Sequence, residues 1–456
     1  MLLYPGCIRH KFSLSRHMLA LLALVLLAPA LLAQTPGTPE GKFPPARDGA
    51  RDRARDLGVP FDGTPGPFNA ITDVAGIEVG YKTLISGEGR LVVGQGPVRT
   101  GVTAILPRGK KNGASVFAGF FAGNGNGDLT GTHWIEESGV METPILITNT
   151  LSVGVVRDAA AAWMTQQNHP GDFWYPVVGE TADALLNDIK GQHVTKQDAL
   201  DALNSAASGP VPEGNVGGGT GMLCNGFKGG SGTSSRRVSI GSKSYTLGVF
   251  VQCNYGGRNE LRIAGIPVSR EMKAPLPCFA KPLDPLPDHL KDAHLLPCDR
   301  ALVDQAHGEY AETKGLQKPE QGSIIVIVAT DAPLTADQLK RLARRVSVGL
   351  GRAGTILADS SGDLFLAFST ANQGADDGNS TARTQAPVSR VERLTSSSLN
   401  PLFLATVQAT EESVDNAMVA AKTMIGADYI LFPALPHAEL QRVLSEHKLL
   451  TSAGQK

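Results

Sequence analysis

The run SIIVIVAT at residues 323–330 constrains the fold more than any other stretch of the chain. It is apolar at successive rather than alternate positions and rich in β-branched residues, so it reads as a strand covered on both faces. Such a strand needs one layer above it and another below. Just downstream, Thr335 and Gln338 form a capping box. The helix it starts places Leu339, Leu342, Ala343, Val346 and Leu350 on one face and turns Lys340, Arg341, Arg344 and Arg345 mostly to solvent. A second strand, DLFLAFST at 363–370, follows. A later helix is expected to carry Val414, Ala417, Met418, Ala421 and Ile425 inward and to stop at Gly426. Earlier in the chain, β-like runs at 101–107, 115–123, 144–152 and 244–252 are separated by helical stretches at 156–167, 181–191 and 196–207. Strands covered by a second sheet on one side and by helices on the other make an α/β protein. The expected architecture is a four-layer αββα sandwich rather than a doubly wound sheet.

The first 33 residues differ in kind. A basic stretch (Arg9, Lys11, Arg16) leads into MLALLALVLLAPALLA and then into polar sequence, the pattern of a secretory signal peptide cleaved after Ala33. The apolar core is shorter than the ~20 residues that a bilayer requires, and Pro29 interrupts its end, so no stable membrane insertion is expected once the signal is removed. The reading is a secreted or periplasmic protein, with a flexible leader over 34–66 and a single folded domain over 67–456. Lysine plus arginine (42) balance aspartate plus glutamate (43), and no net field favours nucleic acid. Cys278 and Cys298 share one proline-rich segment and are expected to form a disulfide. Cys224 and Cys253, beside glycine-rich and strand-like sequence, are expected to be buried free thiols.

Several familiar sites are missing. The glycine-rich stretch 213–237 lacks the strand, spacing and following helix of a dinucleotide or phosphate loop, and reads as turns that let backbones approach closely. There is no HExxH, paired CxxC or GxSxG. His133 reads as a pocket or core residue rather than a ligand, and no metal or cofactor is expected. One pair stands out. If the chain were cut between Gly322 and Ser323, Ser323 would carry a hydroxyl and an α-amine of pKa near ~8 on one residue, a nucleophile with its own base.

That reading gains weight from five ordered segments: NGNGDLTGTHWIEESG (124–139), PVVGETADALLNDI (176–189), GNVGGGTGM (214–222), VQCNYGGRNELRIAG (251–265) and GSIIVIVATDAPL (322–334). Together they resemble the L-aminopeptidase/D-esterase and β-peptidyl aminopeptidase family, often called DmpA-type, from about residue 60 to residue 435. The resemblance implies an αββα fold like that of ornithine acetyltransferase, similar in layering to N-terminal-nucleophile hydrolases. It implies self-cleavage into an α chain, 34–322, and a β chain, 323–456, with oligomers of αβ units. Ser323 would be the nucleophile and Asn254 the oxyanion donor, with Ser361 and Asp363 assisting the nucleophile and Glu180 receiving the substrate's ammonium. The ordinary roles are a turn residue for Asn254, a Ser-Gly-Asp turn for 361–363, and an acid at the start of a helix near Thr181 for Glu180.

Three departures accompany the resemblance. Asp363 stands where β-peptidyl aminopeptidases carry Glu, Ala182 stands where some members carry Tyr, and residues around 272–320 form an insertion. The implied function is a self-processing serine aminopeptidase acting through an acyl enzyme on short peptides, amino-acid amides or esters of L-, D- or β-residues. An acyltransferase using the same acyl enzyme, or a non-catalytic peptide-binding protein, are the alternatives.

Overall fold

The computed structural model describes residues 53–169, 171–291, 295–301, 322–374 and 388–451. The expected signal peptide, the first part of the leader and much of the expected insertion lie outside them. Four strands, β1 (Glu78–Ser86), β2 (Val98–Leu106), β5 (Ile145–Asn149) and β6 (Val177–Thr181), form one sheet in the order β1-β2-β5-β6. A larger sheet runs β4 (Val140–Met141), β3 (Val116–Gly125), β14 (Ser361–Ser369), β13 (Gly322–Thr330), β10 (Lys243–Asn254), β9 (Gly230–Ile240). Helices α2 (Val153–Gln166) and α3 (Lys196–Ser205) cover the outer face of the first sheet. Helices α4 (Ala336–Ala353) and α5 (Asn400–Val419) cover that of the second. The αββα sandwich is therefore the observed fold.

Strand β13 shows why its sequence is apolar throughout. Ile324, Val326 and Val328 belong to the core beneath α4 and α5, whereas Ile325, Ile327 and Ala329 belong to the core between the sheets. Successive side chains enter alternate layers, so every position from Ile324 to Ala329 faces a core and is apolar. The capping box of α4 is present, with the backbone N–H of Thr335 donating to Gln338 Oε1, and the five predicted apolar residues are buried.

The structure corrects several expectations. Residues 181–191 are not a helix. After one turn closed by Leu186 and Asn187 N–H groups on Asp183 O, the backbone of Asp188 donates instead to Pro97 O, and the helical pattern stops. Helix α5 ends at Val419, short of Gly426, and Ile425 lies half-exposed in a short strand. The leader is not flexible over its second half. Ala54, Leu57 and Val59 are buried, and Arg55 makes a two-pronged ion pair with the buried carboxylate of Glu412, so residues 53–66 pack as part of the folded domain.

The described part of the insertion is built into the fold. Strands β11 (Cys278–Phe279) and β12 (Leu296–Pro297) join β15 (Met424–Ile425) and β16 (Ile430–Phe432) in a small sheet, with Leu186, Phe279, Leu290, Ile430 and Phe432 as its core. The Cys278–Cys298 disulfide staples this unit. Cys224 and Cys253 are also bonded to each other, contrary to the free thiols expected. The hairpin of β7 (Leu223–Cys224) and β8 (Phe227–Lys228) folds back on the end of β10 and brings the two Cα atoms to 5.6 Å, a contact invisible in linear sequence.

Candidate active site

Ser323 is the second residue of β13 and is hemmed in by its neighbours on both sides. It pairs with Asn254 at the end of antiparallel β10 and with Gly362 near the start of parallel β14, and is 4% exposed. Gly322 before it has φ 139°, and a Cβ there would stand 2.0 Å from Asn254 O. Only glycine fits where the two strand ends close on each other.

The Asn254 side chain is held at both ends. Its Oδ1 accepts the N–H of Leu223 at 2.8 Å, and its Nδ2 donates to Ala182 O at 2.9 Å. A backbone N–H demands an acceptor and a carbonyl demands a donor, so these partners fix which end of the amide is nitrogen. Nδ2 carries two hydrogens, and Ala182 uses one of them. Among the described residues no acceptor takes the second, and an oxyanion donor requires such a free hydrogen.

Glu180, at 4% exposure, is the penultimate residue of β6 and reaches the same region from the other sheet. Its Oε1 accepts the N–H of Asp128 at 3.0 Å, and its Oε2 accepts the hydroxyl of Thr150. Burial pushes its pKa above the ordinary carboxylate value, and the two hydrogen bonds hold it partly down. Gly127 locates it relative to Ser323. A methyl carbon built on Gly127 would lie 3.1 Å from Glu180 Oε1 and 3.3 Å from Gly362 Cα, and Gly362 is Ser323's strand partner. The ordinary role for Glu180, an acid at a helix N-terminus, has no helix to serve.

Ser361 and Asp363 are fully buried, and Ser361 Oγ donates to Asp363 Oδ1 at 2.7 Å. They sit opposite Gly322 and Ile324, flanking Gly362. By alternation they follow Phe365 and Ala367 toward α4, whereas Ser323 follows Ile325 and Ile327 toward the other sheet. The backbone nitrogen of Ser323 lies in the plane between these two faces.

Two further buried charges, Asp183 and Lys228, carried no sequence signal. Asp183 follows Ala182, and its Oδ1 accepts from Asn187 Nδ2 at 3.0 Å; burial pushes its pKa up to about 7. Burial pulls Lys228 down to about 7, and Asp183 counters that fall. Its Nζ donates to Met222 O (2.7 Å), Gly229 O (2.8 Å) and, at the limit of reach, Gly219 O (3.4 Å). Three acceptors around one nitrogen suit the three hydrogens of an ammonium.

The glycine-rich stretch behaves as expected: a Cβ on Gly218 would stand 2.1 Å from Gln252 Oε1, so these turns are wedged between the sheets. His133 is exposed and packs edge-on against Tyr175, so it is a surface residue rather than a pocket or core one. Among the described residues no group of three or more His, Cys, Asp or Glu could hold a metal ion, and no helix is long and apolar enough to cross a membrane.

Comparison with known proteins identifies the family. The model of peptidase family S58 matches residues 69–430. The chain is 50% identical over 403 residues to the β-peptidyl aminopeptidase BapA of Sphingosinicella microcystinivorans, covering 88% of this chain and 94% of that one. It is 43% identical over 400 residues to BapA of Sphingosinicella xenopeptidilytica, covering 87% and 91%. In structure it is similar to the L-aminopeptidase D-Ala-esterase/amidase of Ochrobactrum anthropi, described as a prototype serine aminopeptidase with a variant of the Ntn-hydrolase fold. The TM-score is 0.74 at 43% identity, over 88% of this chain and 99% of the other. The chain belongs to peptidase family S58 and is a serine aminopeptidase of the N-terminal-nucleophile type.

Proposed function

We propose that the chain cuts itself between Gly322 and Ser323 and then hydrolyses the N-terminal residue from short peptides, amides or esters through an acyl enzyme on Ser323. The observation that carries the proposal is the convergence on one serine of a spare amide hydrogen and a buried carboxylate. Asn254 is Ser323's strand partner, and Glu180 is linked to it through Gly127 and Gly362.

In the first step Ser323 Oγ attacks the Gly322 carbonyl, the tetrahedral intermediate collapses with loss of the C–N bond to give an ester and a free amine, an N-to-O acyl shift, and water hydrolyses that ester. This leaves a carboxylate on Gly322 and an α-amine on Ser323. In turnover that amine takes the hydroxyl proton as Oγ attacks the substrate carbonyl. Charge developing on the carbonyl oxygen is met by the free hydrogen of Asn254 Nδ2, and the proton passes to the leaving group. Water then releases the acyl group. Ser361 and Asp363, on the opposite face from the Ser323 side chain, act on the amine, a main-chain atom reachable from both faces. Glu180 accepts the substrate's ammonium, which restricts attack to the first residue.

β-Aminoacyl substrates come first in order of expectation, because the two relatives named above carry that activity in their names; L- and D-aminoacyl amides and esters come next. Two disulfides accord with a secreted or periplasmic site of action. Oligomers of αβ units complete the proposal.

The test is a slowly hydrolysed aminoacyl ester followed by mass analysis of the separated chains. One acyl mass added to the chain that begins at Ser323, and absent from Ser323→Ala, is expected. An adduct elsewhere, or turnover that survives Ser323→Ala, would sink the mechanism.

A further inference from the structure

The hydrogen bond that orients Asn254 comes from Leu223, and Leu223 is not part of the large sheet. It belongs to the two-stranded β7–β8 hairpin, whose strands pair only with each other, Leu223 with Lys228 and Cys224 with Phe227. What holds this hairpin to the end of β10 therefore decides where the Leu223 N–H points. The covalent tie is the Cys224–Cys253 disulfide, fully buried, with Cys224 directly after Leu223 and Cys253 directly before Asn254. The bond thus closes a short loop through both members of the Leu223–Asn254 hydrogen bond. Two further contacts support it: Asn225 N–H donates to Tyr255 O at 2.7 Å, and Arg258 stacks over the Phe227 ring at 4.0 Å.

We propose that the Cys224–Cys253 disulfide is a positioning element for the oxyanion donor, fixing the amide of Asn254 by clamping the hairpin that supplies its partner. The inference rests on the reading of Asn254 given above. A freed hairpin lets Leu223 N–H leave Oδ1, and the amide can then rotate away from the substrate carbonyl. The Cys278–Cys298 bond, in the small sheet, is the internal control: the core of that sheet meets the Leu223 side chain, but the bond adjoins neither Leu223 nor Asn254 in the chain and supplies neither of the hydrogen bonds that hold the Asn254 amide.

Four proteins and one substrate, a β-aminoacyl p-nitroanilide, test the proposal: Cys224→Ala/Cys253→Ala, Asn254→Ala, the triple variant combining them, and Cys278→Ala/Cys298→Ala. The first pair is expected to lower kcat by about 10- to 100-fold with KM within about twofold, since misplacing a catalytic group by about 1 Å costs up to about 100-fold. In the Asn254→Ala background the same cysteine changes should lower kcat no further, because their effect passes through the missing amide. The control pair should lower Tm and leave kcat intact.

Additive losses in the triple variant, or an unchanged kcat in the first pair, would overturn the proposal. If the alanine pair does not fold, Cys224→Ala/Cys253→Val, which refills the sulfur volume, is read in the same way. If neither folds while the control does, the bond is a stability element and the proposal is wrong. The two readings separate cleanly. An unaffected Asn254→Ala enzyme removes the oxyanion assignment itself, whereas a costly Asn254→Ala with harmless cysteine changes removes only the disulfide's role.

Discussion

Replacing Glu180 by glutamine changes one charge and almost nothing in the packing. The carboxylate accepts from Asp128 N–H and from the Thr150 hydroxyl. Glutamine keeps an oxygen for Asp128, and its NH₂ can donate to Thr150 Oγ1, because a hydroxyl turns to accept as readily as to donate. The fold therefore has no reason to suffer.

What disappears is the charge that would meet a substrate ammonium in a site 4% exposed. A charge-assisted hydrogen bond of this kind is worth roughly 1.5–3 kcal/mol, which converts to about 10- to 150-fold in kcat/KM. The assay compares a free aminoacyl p-nitroanilide with its N-acetyl counterpart in both enzymes. Wild type should favour the free amine, and Glu180→Gln should lose most of that preference by slowing on the free amine alone.

The pH dependence follows with a definite sign. Burial raises the pKa of Glu180, so as pH falls the binding charge is lost above the ordinary carboxylate range, and the variant should lose that step of the acid limb of kcat/KM while keeping the one set by protonation of the Ser323 amine. The same raised pKa makes the folded state favour the protonated carboxyl. This contribution to stability is present at low pH and lost as pH rises through the folded pKa, so Glu180→Gln should melt slightly higher than wild type at neutral pH. An unchanged preference for the free amine, or equal losses on both substrates, would refute the role given to Glu180.

Gly322→Ala should abolish self-cleavage, because its Cβ would fall 2.0 Å from Asn254 O at φ 139°; a single uncut chain on a denaturing gel is the expected result, and two chains would contradict it. Lys228→Met leaves Asp183 without its buried counter-charge and deprives Met222 O and Gly229 O of a donor. Leaving a buried acceptor unsatisfied typically costs about 1–3 kcal/mol, to be read from the urea midpoint, and a loss under about 1 kcal/mol would show that the ammonium does not hold these turns.

The layers of the fold were legible because burial on two faces leaves a mark that alternation cannot imitate. SIIVIVAT feeds two cores, and its neighbours α4 and β14 carry equally plain patterns. The stretch 181–191 misled for a physical reason: its leucines and alanines have helical spacing, but Asp183, Asn187 and Asp188 spend their hydrogen bonds on a turn and on Pro97 and Gly94. The leader misled because proline and charge near residue 60 mask Ala54, Leu57 and Val59, which are buried only by elements far along the chain.

In the site, Ser323, Asn254 and Glu180 emerged from motif order, and the strand registers then brought the first two side by side. Lys228 and Cys224 stayed hidden because their roles depend on a hairpin folding back on β10, a contact with no periodicity to betray it.

The central claim is that Ser323 becomes an N-terminus, and the most direct test is the intact mass of the purified chain under denaturing conditions with N-terminal sequencing of each fragment, beside Ser323→Ala. Two wild-type chains, the smaller beginning at Ser323, and one uncut variant chain are predicted. A single intact wild-type chain that still hydrolyses aminoacyl amides would contradict the account.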